Sequence, residues 1–173
     1  MLRQMLVLAG VVGVLAVVAA ACYAVQVDGY CYLSGPSHHE NTKVRFQADS
    51  PGALTDSTYT NALGYYQINL ATGFYDVFFS HESFAIGEFP NIPCFNSFTL
   101  PSITLYLGGN LSGVIEAGAY QINENLSVQN DDSLIVLQNT TFLFNGNFEF
   151  SISGFVQFLG TANDSIRFRP SPG

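Results

Sequence analysis

Tryptophan is absent from this 173-residue chain, and Lys and Arg together number only five. So few bases against thirteen Asp and Glu exclude the electrostatic footprint of a nucleic-acid binder. Cysteine is scarce too, at three residues, and with no CxxC and no spaced His pair a zinc site is not expected. No Walker loop, HExxH, G-x-S-x-G or dinucleotide fingerprint occurs, which removes the commonest signatures of nucleotide and hydrolase chemistry. What is present is apolar and turn-rich. Hydrophobic residues reach 48% and charged residues only 10%, with many Phe, Tyr, Gly, Asn, Ser and Thr, a composition that favours strands and turns over helices.

The longest apolar run, Met5 to Ala21, follows a short basic start and ends in small residues, the pattern of a secretory signal. Residues 1–24 are therefore read as a leader, and without Arg3 the four remaining bases against thirteen acids give −9. Three fates for the leader stay open. It is cleaved after Ala24, or cleaved before Cys22 with lipidation there, or retained as an anchor near the lower length limit for crossing a bilayer. Ala19-Ala20-Ala21-Cys22 is similar to a bacterial lipobox without its usual aliphatic residue. With Cys22 in the leader or on a lipid, Cys31 and Cys94 form an even pair in an exported chain, a candidate disulfide worth about 4 kcal/mol on a chain-entropy argument. Two free buried thiols are the alternative.

From Val27 to Leu107, alternation predicts short strands. Lys43-Val44-Arg45-Phe46 puts both bases on one face, and Tyr66/Ile68/Leu70, Tyr75/Val77/Phe79 and Ile103/Leu105/Leu107 form inward sets. Leu70-Ala71-Thr72-Gly73 reads as a hairpin link, and the whole as a two-sheet sandwich. Thr60, Asn61, Gly64, Tyr66, Leu70, Gly73, Tyr75 and Val77 match the signature of carboxypeptidase-regulatory-like domains, with Asn61 where that family usually has Asp. Residues 26–107 thus resemble a family whose fold is a transthyretin-like, Greek-key β-sandwich of the carbohydrate-binding-like group. The resemblance implies a spacer or stability module. It also raises glycan binding, for which exposed Tyr30, Tyr32 and Tyr65 are the candidate stacking rings.

After Gly108-Gly109 the pattern changes. Leu126/Val128 pair with Phe150/Ile152, Leu134/Val136 with Val156/Phe158, and Phe142/Phe144 with Ile166/Phe168, at offsets of about 22 to 24 residues. Stacked coils that bury one another's apolar stripes produce such a repeat. Leu134–Leu137, Phe142–Asn145, Phe150–Phe158 and Asp164–Phe168 resemble successive strands of a pectin-lyase-like right-handed parallel β-helix. Residues 108–173 are read as its first, incomplete coils. The chain is accordingly expected to be the front end of a longer protein, with an unpaired strand edge and an aggregation-prone second half.

Sites of chemistry are not expected. His38-His39-Glu40 cannot converge on one ion, because neighbours in an extended chain point to opposite sides. His81-Glu82 reads as a solvated loop, and Asp131-Asp132 as a turn. Arg167 and Arg169 share one strand face and are expected to meet solvent or Asp164. The N-x-S/T sequons at Asn110, Asn125, Asn139 and Asn163 arise by chance in such a composition. The expectation is a non-enzymatic, secreted or cell-surface bacterial protein, all-β, with no catalytic residue, cofactor or metal. Its sandwich would be a spacer and its β-helix a scaffold for adhesion. Partners would be an extracellular glycan and the remaining coils of the full-length protein, with the membrane reached only through the leader or a lipid on Cys22. The alternative is a carbohydrate-binding module, or part of a polysaccharide-degrading enzyme whose catalytic coils lie elsewhere.

Overall fold

The computed structural model describes residues 24–49 and 54–172, and every helix or strand among them is a strand. The leader lies outside the described residues except for Ala24, as does Cys22. No helix of the described residues is long and apolar enough to cross a membrane.

Alternation builds the first layer. In β1 (Ala24–Leu33), Val25, Val27, Cys31 and Leu33 are buried, while Gln26, Asp28, Tyr30 and Tyr32 point outward. It pairs antiparallel with β4 (Tyr65–Ala71) and parallel with β7 (Phe98–Thr99) and β8 (Ile103–Leu105). The facing sheet runs β3 (Thr55–Tyr59), β2 (Lys43–Ala48), β5 (Gly73–Ser80), β6 (Gly87–Cys94), antiparallel throughout. One core lies between the sheets, with Val27, Val44, Phe46, Val77 and Phe79 fully enclosed. Each such side chain contributes roughly 1.5–3 kcal/mol.

Two expectations need correction here. Residues 70–73 do not close a hairpin: β4 and β5 belong to opposite sheets, so the link is an arch over the end of the core, and the apolar sets on its two sides face each other across it. The Cys31–Cys94 bridge is not formed, and both cysteines are free, buried thiols. Cys94 pairs with Gly73, at the end of the sandwich where β4 arches into β5. Cys31 is bonded to Gly64 at the opposite end. Six residues of β1 separate Cys31 from Val25, the partner of Leu70, a run of about 20 Å. A disulfide requires Cα atoms about 4.4–6.8 Å apart.

The matched signature residues act as a turn device. Asn61 Oδ1 accepts from the N–H groups of Leu63 and Tyr65 at 3.0 and 3.1 Å, work that Asp could do equally. Gly64, at φ 80°, lies where a Cβ would strike the Cys31 carbonyl oxygen at 2.5 Å. Thr60 Oγ1 accepts from Thr42 N–H and donates to the His39 carbonyl.

Beyond Leu105 the ladders among the described residues are parallel, and the one antiparallel contact is an isolated bridge from Leu107 to Phe84. β9 (Leu107–Asn110), the far half of β11 (Gly118–Val128) and β14 (Phe150–Ile152) form one ladder. The near half of β11, β13 (Thr140–Phe144) and β16 (Arg167–Pro170) form another. The third is β10 (Gly113–Ile115), β12 (Ser133–Leu137) and β15 (Phe155–Leu159). Leu107, Ile115, Tyr120, Ile122, Leu126, Leu134, Val136 and Phe142 fill one shared core. Leu126 pairs with Phe150 and Leu134 with Val156, as the sequence repeat predicts, whereas Phe142 pairs with Phe168 and Phe144 with Pro170, each two residues later than predicted. The added length is taken up before β16 in a turn closed by Thr161 N–H to the Asp164 carbonyl and Asp164 N–H to Thr161 Oγ1.

Polar side chains repeat the same spacing. Asn110 Nδ2 donates to Asp132 Oδ2, Asn145 Nδ2 to Asn123 Oδ1, and Asn139 Nδ2 to Asp164 Oδ1, while Glu149 N–H donates to Asn125 Oδ1, at separations of 22, 22, 25 and 24 residues. Three of the sequon asparagines thus serve in ladders. Asn139 also takes φ 62° in the turn between β12 and β13, a conformation Asn tolerates better than most residues.

Only Tyr106 separates β8 from β9. Phe84 packs against both cores. Gly35, at φ 116°, lies so close over the Tyr120 ring that a Cβ there would overlap it, and a Cβ on Gly118 would strike the Gly35 carbonyl at 2.5 Å.

Candidate functional site

Period-2 alternation on β1 and β4 gathers the three tyrosines singled out from sequence. Tyr30 and Tyr32 point outward two residues apart, and Tyr65 is the cross-strand partner of Tyr30. Ring centroids are 6.0 Å apart for Tyr30–Tyr32 and 5.4 Å for Tyr30–Tyr65, and His39 meets Tyr32 edge-on at 5.2 Å. Asp28 and Gln67 pair across the same two strands beside the rings. Tyr65 Oη donates to Gln67 Oε1 at 3.0 Å, and desolvation together with the Asp28 carboxylate pushes its phenol up. The near-parallel Tyr30 and Tyr32 rings, 15° apart, cover part of each other's faces. Tyr30, 40% exposed, keeps the most ring surface for a ligand.

The second feature is a cleft of about 220 Å³ between the two cores, walled by residues 33–41, 81–84 and 112–120. It unites two motifs that sequence placed in separate loops. His38 and Glu40 line it, together with His81, Glu82, Glu116 and Tyr120. His39 does not, because alternation turns it to the tyrosine face, where its Nδ1 accepts from Leu33 N–H at 3.0 Å. Glu82 Oε1 accepts from Ser112 Oγ at 2.8 Å. Glu40 Oε2 is buried and has no hydrogen-bond partner. The signal for this cleft was absent from local sequence, since 40 residues separate its acidic and imidazole pairs.

The remaining named residues are structural. Asp132 receives Asn110 and closes a turn onto Gln129, and Asp131 is exposed beside it. Arg167 and Arg169 are exposed, and Asp164 is engaged by Asn139 rather than by either. Arg45 lies over the Phe78 ring at 4.4 Å. Among the described residues no group of three or more His, Cys, Asp or Glu is arranged to hold a metal. Burial raises both thiols, that of Cys31 to about 12 against some help from Thr42, which makes them poor nucleophiles.

No family model matches this chain, and no curated protein does. Among the solved structures similar to part of it are two mutant type II cohesin–X-dockerin complexes from Acetivibrio cellulolyticus. The N-terminal interface mutant has a TM-score of 0.40 at 19% identity, over 49% of this chain and 58% of that one. The C-terminal interface mutant also has a TM-score of 0.40, at 20% identity, over 53% of this chain and 67% of its own. The chain thus spans little more than half the length of the first.

Proposed function

We propose that this chain is a non-enzymatic, exported scaffold piece of a bacterial surface protein. Residues 26–107 serve as a transthyretin-like spacer, and residues 108–173 as the first coils of a right-handed parallel β-helix. The observation that carries this reading is the coil-to-coil register: three parallel ladders around one core, with Asn and Asp side chains bonded at the same spacing. A chain wound this way presents a long repetitive wall, and two of the carboxylates on it, Asp132 and Asp164, are engaged in bonds between successive turns. Phe155, Phe158 and Phe168 stand exposed on the last two of these strands.

A second reading, glycan binding, draws support from Tyr30, Tyr32 and Tyr65 meeting on one outer face beside Asp28 and Gln67. One experiment separates the two. The exported chain is incubated with a panel of insoluble plant and bacterial polysaccharides, and both retention and released sugar are measured. The scaffold reading expects neither. Retention lost on Tyr30→Ala would transfer the function to the tyrosine face, and released reducing ends would overturn the non-enzymatic reading.

A further inference from the structure

We propose that Asn145-Gly146 is a self-modification site, at which the chain converts its own Asn145 into aspartate and isoaspartate through a cyclic imide. Asn145 is the one asparagine of this sequence followed by glycine. That order matters sterically: the attacking group is the backbone nitrogen of the next residue, and glycine has no Cβ to crowd it or to limit its rotation. The pair sits at the corner after β13, outside any strand, and both residues are exposed. Gly146 N–H makes no hydrogen bond among the described residues, so no ladder bond has to break before the nitrogen reacts. A hollow of about 370 Å³ between residues 144–147 and 170–172 admits water to the same peptide. Asp28-Gly29, the one Asp-Gly pair of the sequence, has none of these features: Gly29 is buried within β1 and held extended opposite Tyr66.

The step balances without a cofactor and needs no partner. A base takes the Gly146 amide proton, the nitrogen attacks Asn145 Cγ, and the Cγ–Nδ2 bond breaks as ammonia leaves with a proton from water. A second water then opens the five-membered imide. Cleavage at Cγ leaves aspartate, and cleavage at the Asn145 main-chain carbonyl leaves isoaspartate, whose backbone runs on through Cβ and Cγ. The fold sets the rate. Asn145 Nδ2 donates to Asn123 Oδ1 on β11, and Asn145 N–H donates to the Ile122 carbonyl at 3.0 Å. The first bond restrains the side-chain amide and must be surrendered for Cγ to reach the Gly146 nitrogen, so the Asn ladder is a brake on the chemistry. The product loosens the same joint. Neither carboxylate can donate to Asn123, and the extra backbone carbon of isoaspartate lengthens the turn that carries Glu149 N–H to Asn125 Oδ1.

The test holds the whole folded chain in mildly alkaline heavy-oxygen water and follows it by peptide mass spectrometry, with isoaspartate counted by isoaspartyl methyltransferase labelling. Asn145 is expected to convert steadily, taking up one heavy oxygen per ammonia lost and yielding isoaspartate. Asn147 and Asn163, also exposed but followed by Phe148 and Asp164, are expected to change far more slowly. Gly146→Ala should slow conversion at least about tenfold, because a Cβ hinders the attacking nitrogen. Should the Phe148 ring, 3.1 Å from that Cβ, keep the variant from folding, Asn145→Gln retains an amide at the ladder while forcing a six-membered ring, and conversion there should fall to the rate of Asn147. Asn123→Ala releases the brake and should speed conversion about two- to fivefold. The proposal is overturned by conversion at Asn145 no faster than at Asn147 and Asn163, by conversion without isoaspartate, by an unchanged rate in Gly146→Ala or Asn145→Gln, or by a rate in Asn123→Ala that does not rise.

Discussion

Phe142 is the keystone of the second core, and Phe142→Ala tests whether that core is a separate cooperative unit. The ring is fully buried. It lies between Tyr120 at 6.3 Å and Phe168 at 4.9 Å, nearly parallel to the latter at 10°, with Phe150 at 6.5 Å. Truncating a fully buried Phe costs about 3–5 kcal/mol, part of it the roughly 0.5–1.5 kcal/mol of aromatic pairing. A unit of this size holds only about 3–10 kcal/mol in total. The variant should therefore leave the parallel ladders largely unfolded. Hydrogen exchange read by mass spectrometry is the assay: peptides from β11 to β13 lose protection by a factor of about a hundred or more, while β1, β4 and β5 stay within about fivefold of the parent. Phe158→Ala, at a side chain already 42% exposed, should change protection little. Equal loss of protection in both halves, or a Phe142→Ala penalty below about 1 kcal/mol, would refute the reasoning.

Two further outcomes are expected. Burial holds Tyr120 and Cys31 near about 12, and burial, Cys31 and Asp28 hold Tyr66 higher still. These groups are neutral in both folded and unfolded chains below their ordinary values of 9 and 10. Above those values the unfolded chain ionises first, so stability should fall from about pH 9 toward 12. Phenolate absorbance should then show the buried tyrosines ionising only together with unfolding, and a smooth titration in the folded state would contradict their burial. At the turn after β3, Asn61→Ala removes an acceptor of two N–H groups and should cost about 1–2 kcal/mol by urea unfolding, whereas Asn61→Asp should be tolerated.

Much of the framework was legible because it rests on short-range periodicity. The alternation of β1, β2 and β5 fixes which face is buried without reference to any partner strand. The coil repeat was readable for Leu126 and Leu134 because inward residues recur on the same side of equal turns. It slipped by two at both Phe142 and Phe144 because the turn at residues 160–166 is longer, and loop length is not encoded in an apolar pattern. Residues 70–73 misled for a related reason: a short Gly-containing link fits an arch as well as a hairpin, and only the sheet membership of β4 and β5 decides. Cys31 and Cys94 looked pairable since parity carries no information about which end of a sandwich each occupies. The tyrosine face followed from i, i+2 spacing plus one cross-strand register. The junction cleft could not be foreseen, as it exists only where two cores meet.

The contact of Gly35 and Gly118 with Tyr120, together with the single residue between β8 and β9, leaves the joint without slack. With no tether to uncoil and a glycine backbone seated on an aromatic plate, a side chain added at Gly35 or Gly118 would force the two halves apart at this joint. Packing at the joint therefore couples the end of one core to the start of the next through a single ring.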